Sequence, residues 1–411
     1  MTEHGVPRVL AAESISNFGT MLSRLAIPWL AALTLQATPL QMAALVVADV
    51  IATALGAVLL GSWVERHSKR RVMLLADGAR FALFGALALA VWFGLATFTL
   101  LVAAAAASGL LTIGFELARS AWMAQRVPPH DLSRRNAQLS MAGSLSETAA
   151  FAMGGWVFQW LGAALSLAVD GLSYAASALC LRGVQDVPGG PRAAPPGPAW
   201  RALLHEAAEG LRALAARPAL RALAGIEALL SFAMALTGTS YMIFVSRDLG
   251  LPTGQLGLIF ALGGLGSLCG ASLAPWLGRR LGSGAAMAAA LAVYALGAAF
   301  IPLAVGAGWT AVACLVAHQM VGDAGHALYD VHDRTLRQTA VPFDMLARVD
   351  AGIRSAGQFA TLAGALIGGV LGTAWGTRSV LWLAVATAAC ASALAARRLA
   401  VHANDTVPVH W

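Results

Sequence analysis

The stretch Gln125-Arg-Val-Pro-Pro-His-Asp-Leu-Ser-Arg-Arg135 decides how this chain is read, because its skeleton returns 213 residues later. Gln125-x3-Pro129-x-Asp131-x3-Arg135 recurs as Gln338-x3-Pro342-x-Asp344-x3-Arg348. Each copy is followed, 19 or 20 residues after its last arginine, by a glycine pair: Gly154–Gly155 and Gly368–Gly369. Each proline ends the segment before it, and each aspartate is placed to N-cap the helix that follows. Such spacing marks a duplication.

Outward from the two copies the chain is strongly apolar. It is 58% hydrophobic and 11% charged, with mean hydropathy +0.71, whereas a soluble protein is about 25% charged. That excludes a disordered chain and disfavours a soluble enzyme. The net charge of +7 does not point to nucleic acid, which needs basic residues clustered on a water-exposed face. Here arginines fill short clusters between apolar runs. Windows of about 20 apolar residues place twelve spans, at 9–36, 40–64, 72–94, 97–118, 137–160, 163–183, 219–246, 254–277, 284–305, 309–333, 346–372 and 377–397. The expected fold is therefore an all-α integral membrane protein of twelve transmembrane helices in two pseudo-symmetric six-helix halves, 1–183 and 218–398. A linker, 184–217, joins them and a tail, 399–411, follows. The linker opens Pro/Gly-rich, and from Ala199 its helical apolar spacing (Trp200, Leu203, Leu204, Ala207, Leu211) predicts an amphipathic helix on the membrane face.

Orientation follows from the basic residues. They crowd alternate loops, with Arg66, Lys69, Arg70 and Arg71 after span two and Arg119, Arg126, Arg134 and Arg135 after span four. More lie in the linker and at Arg279–Arg280, Arg334, Arg337, Arg348 and Arg397–Arg398, while the intervening loops hold only Arg247 and Arg378. Both termini are thus expected in the cytoplasm, with the chain in the inner cell membrane. The four cysteines are scattered through apolar runs and indicate neither disulfides nor zinc.

Gly61-x3-Glu65-Arg66-x-Ser68-Lys69-Arg70-Arg71 resembles the loop signature of the major facilitator superfamily between its second and third spans, with Glu65 and Ser68 where that family usually has Asp and Gly. Gly19-Thr-Met-Leu-Ser-Arg-Leu-Ala26 with Trp29-Leu30, and Leu336-Arg337-Gln338 with Pro342 and Ala347-Arg348-Val349-Asp350, are similar to the enterobactin-exporter-like and macrolide-efflux-like members. The resemblance implies an exporter of a drug, siderophore or secondary metabolite that exchanges it for protons, with no cofactor beyond the proton gradient, acting as a monomer. It also implies a cavity between the halves lined by spans one, two, four, five, seven, eight, ten and eleven. Proton-coupled uptake and divalent-metal export are the alternatives, and a non-transporting receptor ranks last. No nucleotide-binding loop or catalytic motif appears, so an enzyme is not expected.

A charge inside the bilayer costs about 2.5–3.5 kcal/mol on insertion scales, so the charges within spans mark function or pairing. Asp49, Glu147, Glu227 and Asp323 lie roughly 12–21 Å from the nearer span end at 1.5 Å per residue and are taken as the best-buried acids. Asp49 and Glu147 lead as proton-coupling residues. Arg24 either holds a substrate anion or pairs with one of those two, and Asn17 shares its helix. Gln319, Asp323, His326, Asp330 and Asp333 are spaced as one helical stripe, open to polar packing, a proton relay through Asp323 and His326, or metal binding. Asp77 and Arg80 (i, i+3) are expected to pair and to join a cytoplasmic gate. In that gate Gly61, Glu65 and Asp77 work with Arg66, Lys69, Arg70 and Arg71, and a carboxylate meets the positive end of span eleven. The second-half loop residues Gln338, Pro342, Asp344 and Arg348 are its counterpart. Glu116 with Arg119 reads as a structural pair, and Asp170 as a satisfied structural carboxylate.

Overall fold

A computed structural model describes residues 5–186, 218–340 and 343–399. The amphipathic helix expected from Ala199, most of the linker and the tail beyond 399 lie outside the described residues. So do Gln338 (as a side chain) and Pro342, and the side chains of Asp344 and Arg348.

Every described element is a helix. In the first half α1 is Gly5–Trp29, α2 Pro39–Arg66, α3 Lys69–Trp92 and α4 Phe98–Arg126. Pro129–Arg182 runs as one helical stretch broken at Gly162, whose φ of 76° and ψ of 175° no helix accommodates, so it forms α5 (129–161) and α6 (163–182). The second half contains α7 Pro218–Ile243, α8 Thr253–Leu281 and α9 Ser283–Leu303. Next comes α10, a rod over 309–340 with a π-helical turn at His318–Gly322, then α11 Phe343–Trp375 and α12 Thr377–Arg398. Among the described residues nine helical stretches, with α5 and α6 counted as one, are long and apolar enough to cross a bilayer. The two rods outside that count, α1 and α10, carry the polar residues that lower their hydropathy. The architecture is the twelve-helix membrane fold in two six-helix halves.

The duplication is written in the backbone as well as the sequence. α1 ends in a π-helical turn at Leu30–Thr34 and α7 in one at Phe244–Asp248. Ala37 N–H donates to Ala31 C=O after the first turn, and Leu251 N–H to Val245 C=O after the second. The left-handed residue in that turn is Gln36 (φ 50°) in the first half and Gly250 (φ 68°) in the second; Gly162 is matched likewise by Gly376 (φ 84°).

Two compact units emerge from the packing. One comprises the described parts of Met1–Ala37, Val47–Ala202 and Pro252–Ala261, the other those of Thr38–Val46, Leu203–Leu251 and Leu262–Trp411. The repeated glycine pairs explain the short segments assigned across the halves. Within the first unit a Cβ on Gly154 would meet Leu22 Cδ1 on α1 at 2.8 Å, and one on Gly155 would meet Thr253 O at 2.2 Å. Within the second, Gly368 faces Thr239 and Leu236 on α7, and Gly369 faces Ala43 and Leu40. In both, the first glycine admits the half's opening helix and the second admits a borrowed helix start. Small residues permit such approach where lipid offers no hydrophobic drive between helices.

One expectation is corrected here. Asp131 is not the N-cap of α5: Pro128 occupies that position and Pro129 starts the helix, leaving Asp131 in the first turn. Proline at the first helical position needs no N–H partner, and the aspartate there faces the helix's positive end.

Candidate functional site

The first unit has a polar core inside an apolar bundle. Asp77 and Arg80 on α3 are fully buried and pair at 2.6 Å. Ser177 on α6 donates to the other Asp77 oxygen at 2.6 Å, and Ser16 on α1 lies 3.4 Å from the first. The Arg80 guanidinium stacks over Tyr174 at 4.5 Å and Phe115 at 4.9 Å. Four helices thus meet around one ion pair. Asp77 was expected to join the basic loop, but its described partners are Arg80 and these two hydroxyls, because about two turns of α3 carry it inward from the loop.

The loop itself serves another purpose. Lys69, the chain's single lysine, is buried and donates to the carbonyls of Val64, Glu65 and His67 at 2.7–3.0 Å. It caps the C-terminal end of α2, where free carbonyls carry the negative end of the helix dipole. Arg70 donates to the Leu181 and Arg182 carbonyls, Arg8 to Gly183, and Arg126 to Asp186. Ser68 caps α3 by accepting from the Arg71 N–H and donates to the Asp186 carboxylate at 2.5 Å. This end of the unit is therefore a clamp on the exit of α6. Glu65, Arg66 and Arg71 are exposed, and among the described residues no other element comes within 4 Å of a Cβ built on Gly61. The start of α11, the helix end expected to face the gate carboxylate, falls outside the described side chains.

Arg119 reaches Glu13 on α1 at 3.1 Å, so among the described residues a guanidinium bridging two helices replaces the expected pairing with Glu116 along one. Asn17 donates to the Gly143 carbonyl on α5 at 3.1 Å, tying α1 to α5.

Asp49 and Glu147 are exposed, as is Arg24, and Glu227 is 28% exposed. Depth along a span does not tell which face a side chain takes, so the expectation that these acids are the best buried is corrected. The fully buried acids are Asp77 and Asp170. Arg24 lies within electrostatic reach of Asp49, but no ion pair closer than 4 Å joins it to Asp49 or Glu147 among the described residues. Asp49 sits against Gly109 on α4, where a Cβ would come within 2.7 Å of Oδ1.

In the second unit Arg337 on α10 is the hub, a residue the sequence marked as a topology charge and as part of a family-like motif but not as an ion-pair centre. It contacts Asp333 at 2.6 Å, Glu227 on α7 at 3.4 Å and Asp350 on α11 at 3.5 Å, while Tyr329 donates to Glu227 at 3.3 Å. Its i, i+4 spacing from Asp333 was the available signal.

The stripe on α10 does not hold together. The π-helical turn His318–Gly322 holds Gln319, the other four share the regular helix Asp323–Ala340, and the members meet different neighbours along it. Asp323 and Gln319 pack at Gly263 on α8, His326 stacks near Tyr294 on α9 (5.8 Å), and Asp330 pairs with Arg334. Asp323 and His326 therefore point to separate helices. Glycines Gly263, Gly266 and Gly270 on α8 and Gly297 on α9 form the groove that admits this turn. Among the described residues no three His, Cys, Asp or Glu side chains converge as a metal site.

Comparison with known proteins agrees with this architecture. The Major Facilitator Superfamily profile matches residues 9–349. An uncharacterized MFS-type transporter, y4rN of Sinorhizobium fredii, is 29% identical over 247 residues, covering 60% of this chain and 58% of that protein's length. Among solved structures, a bacterial homologue of the iron transporter ferroportin in its inward-facing state superposes with a TM-score of 0.75 at 17% identity, covering 97% of this chain and 99% of that one. A bacterial homologue of the human lysosomal transporter Spinster gives 0.73 at 15% identity, over 99% and 100%. At such identities the structures speak for the fold alone. With twelve helices, a backbone duplication and a profile match over most of its length, the chain belongs to the Major Facilitator Superfamily.

Proposed function

We propose that this protein is a secondary active transporter that exports a small amphipathic organic molecule in exchange for protons, by alternating access across the cell membrane. The observation that carries the reading is the exposure of Arg24, Asp49 and Glu147 in the middle of apolar helices. Charged side chains cannot be presented to lipid at that depth without several kcal/mol of cost, so they border a polar path. A carboxylate on such a path can take and release protons, and each charge moved through 100 mV supplies about 2.3 kcal/mol. Arg24, within reach of Asp49, makes the loaded and unloaded states of that acid electrostatically distinct to a substrate. An organic cargo fits better than a metal ion, since the described residues bring no ligand trio together.

The test is transport in reconstituted vesicles under an imposed pH gradient, with panels of dyes, antibiotics and siderophores. Cargo should move opposite to protons and stop when a protonophore is added, and Asp49→Asn or Glu147→Gln should uncouple it. Movement together with protons identifies uptake instead; indifference to the gradient, or normal pumping by both variants, overturns the assignment.

A further inference from the structure

Asp170 on α6 has no exposed surface, and no cation forms an ion pair with it among the described residues; the hydroxyls of Ser23 and Tyr174 are its polar neighbours. Ser23 donates to the Gly19 and Thr20 carbonyls, and the Tyr174 hydroxyl pairs with Thr20 at 3.3 Å. The helix facing it is α1, whose Gly19 leaves room for the carboxylate: a Cβ there would come within 2.6 Å of Asp170 Oδ1. From α3 the charged groups are Asp77 and Arg80; from α4 come the Phe115 ring and, further along, Glu116 and Arg119, the latter held by Glu13 of α1.

The charge inventory does not balance. Two fully buried carboxylates, Asp77 and Asp170, share one buried guanidinium, and that guanidinium is on Asp77. An unpaired anion buried in a membrane bundle is among the costliest arrangements a protein can hold, and it is relieved by a proton. Arg80 also retains an unused donor: its Nε is buried without a hydrogen-bond partner among the described residues. An unused donor and a buried carboxylate with no paired cation thus lie in one core among the described residues. Asp77, for its part, keeps the Ser16 and Ser177 hydroxyls as donors if the guanidinium leaves.

We propose that Asp170 is a proton-binding site in the core of the first unit, with Arg80 shared between two carboxylates. Arg80 pairs with Asp77 while Asp170 holds the proton, and turns to Asp170 when the proton departs. Arg80 lies over the Tyr174 ring, one turn along α6 from Asp170 and within electrostatic reach of it. Ser16, Thr20 and Ser23, spaced along one face of α1, provide a line of hydroxyls beside it. This site does not depend on the export reading, and neither Asp49 nor Glu147 belongs to it.

Infrared spectroscopy of the purified full chain in lipid vesicles at neutral pH tests the proposal without substrate or gradient, so a chain that fails to export can still pass. The wild type should show the carbonyl stretch of a protonated carboxylic acid. That band should vanish in Asp170→Asn, persist in Glu13→Gln, and shift in frequency in Asp170→Glu, which keeps the test decisive if the asparagine variant does not fold. Asp77→Asn should also abolish it, since Arg80 is then free to ionise Asp170. A wild type without the band, or a band unchanged by Asp170→Asn and Asp170→Glu, overturns the site; a band that survives Asp77→Asn overturns the sharing of Arg80.

Discussion

Replacing Gly155 with alanine tests whether the repeated glycine pairs are structural. An ideal Cβ on Gly155 would sit 2.2 Å from Thr253 O and 2.9 Å from both Cα and N of Gly257. All three are backbone atoms, so no rotamer change relieves the contact, and α8 must retreat by about 1 Å to restore van der Waals distance. Overpacking of this kind costs about 1–3 kcal/mol. Alanine in a helix gains about 1 kcal/mol over glycine, so the raw loss understates the clash. Gly78 on α3 supplies the reference, because nothing lies within 4 Å of a Cβ there and Gly78→Ala collects the propensity gain alone. The difference between the variants is then the clash itself, about 1–3 kcal/mol, or roughly 2–4 °C in Tm per kcal/mol for a half of this size. Gly369→Ala, whose first contact is the Ala43 Cβ at 2.7 Å, should fall between them. Thermal unfolding of the detergent-solubilised protein reads all three. A Gly155→Ala variant as stable as Gly78→Ala would refute the close-packing argument.

Three further outcomes follow from the contacts described. Lys69→Met keeps the side chain's apolar stem but removes the donor that caps the Glu65 and His67 carbonyls, so it should destabilise by about 1–3 kcal/mol and speed tryptic cleavage within 66–71; an unchanged digestion rate contradicts the capping role. Arg337→Gln leaves Asp333, Glu227 and Asp350 without their shared cation, and should cost somewhat under the 3–5 kcal/mol typical of a broken buried pair, since two of those acids are partly exposed. Adding Asp333→Asn to it should recover part of the loss in Tm; a double variant less stable than the single one argues against the hub. Gln36→Gly removes a side chain from a left-handed turn and should stabilise by about 1 kcal/mol, a gain that a denaturation midpoint would detect.

Much of this protein was legible in its sequence, and the reason is the solvent. A bilayer demands about 20 apolar residues per helix and satisfies no backbone group, so span count, helix type and the two halves follow from composition, while the duplicated Gln125–Arg135 motif shows that the halves are copies. The i, i+3 pair of Asp77 with Arg80 was equally open to local reading. Contacts between helices were not. Position along a span gives depth but not rotation, so Asp49 and Glu147 were expected inside and lie exposed, whereas Asp170, read as a structural carboxylate, is fully buried with no cation paired to it among the described residues. The polar residues of the α10 stripe share one regular helix from Asp323 onward yet meet different neighbouring helices, and Lys69 turned from the expected gate to cap α2. Those outcomes depend on which neighbouring helix offers a glycine, a carbonyl or a charge at the right height, and only the tertiary packing determines that.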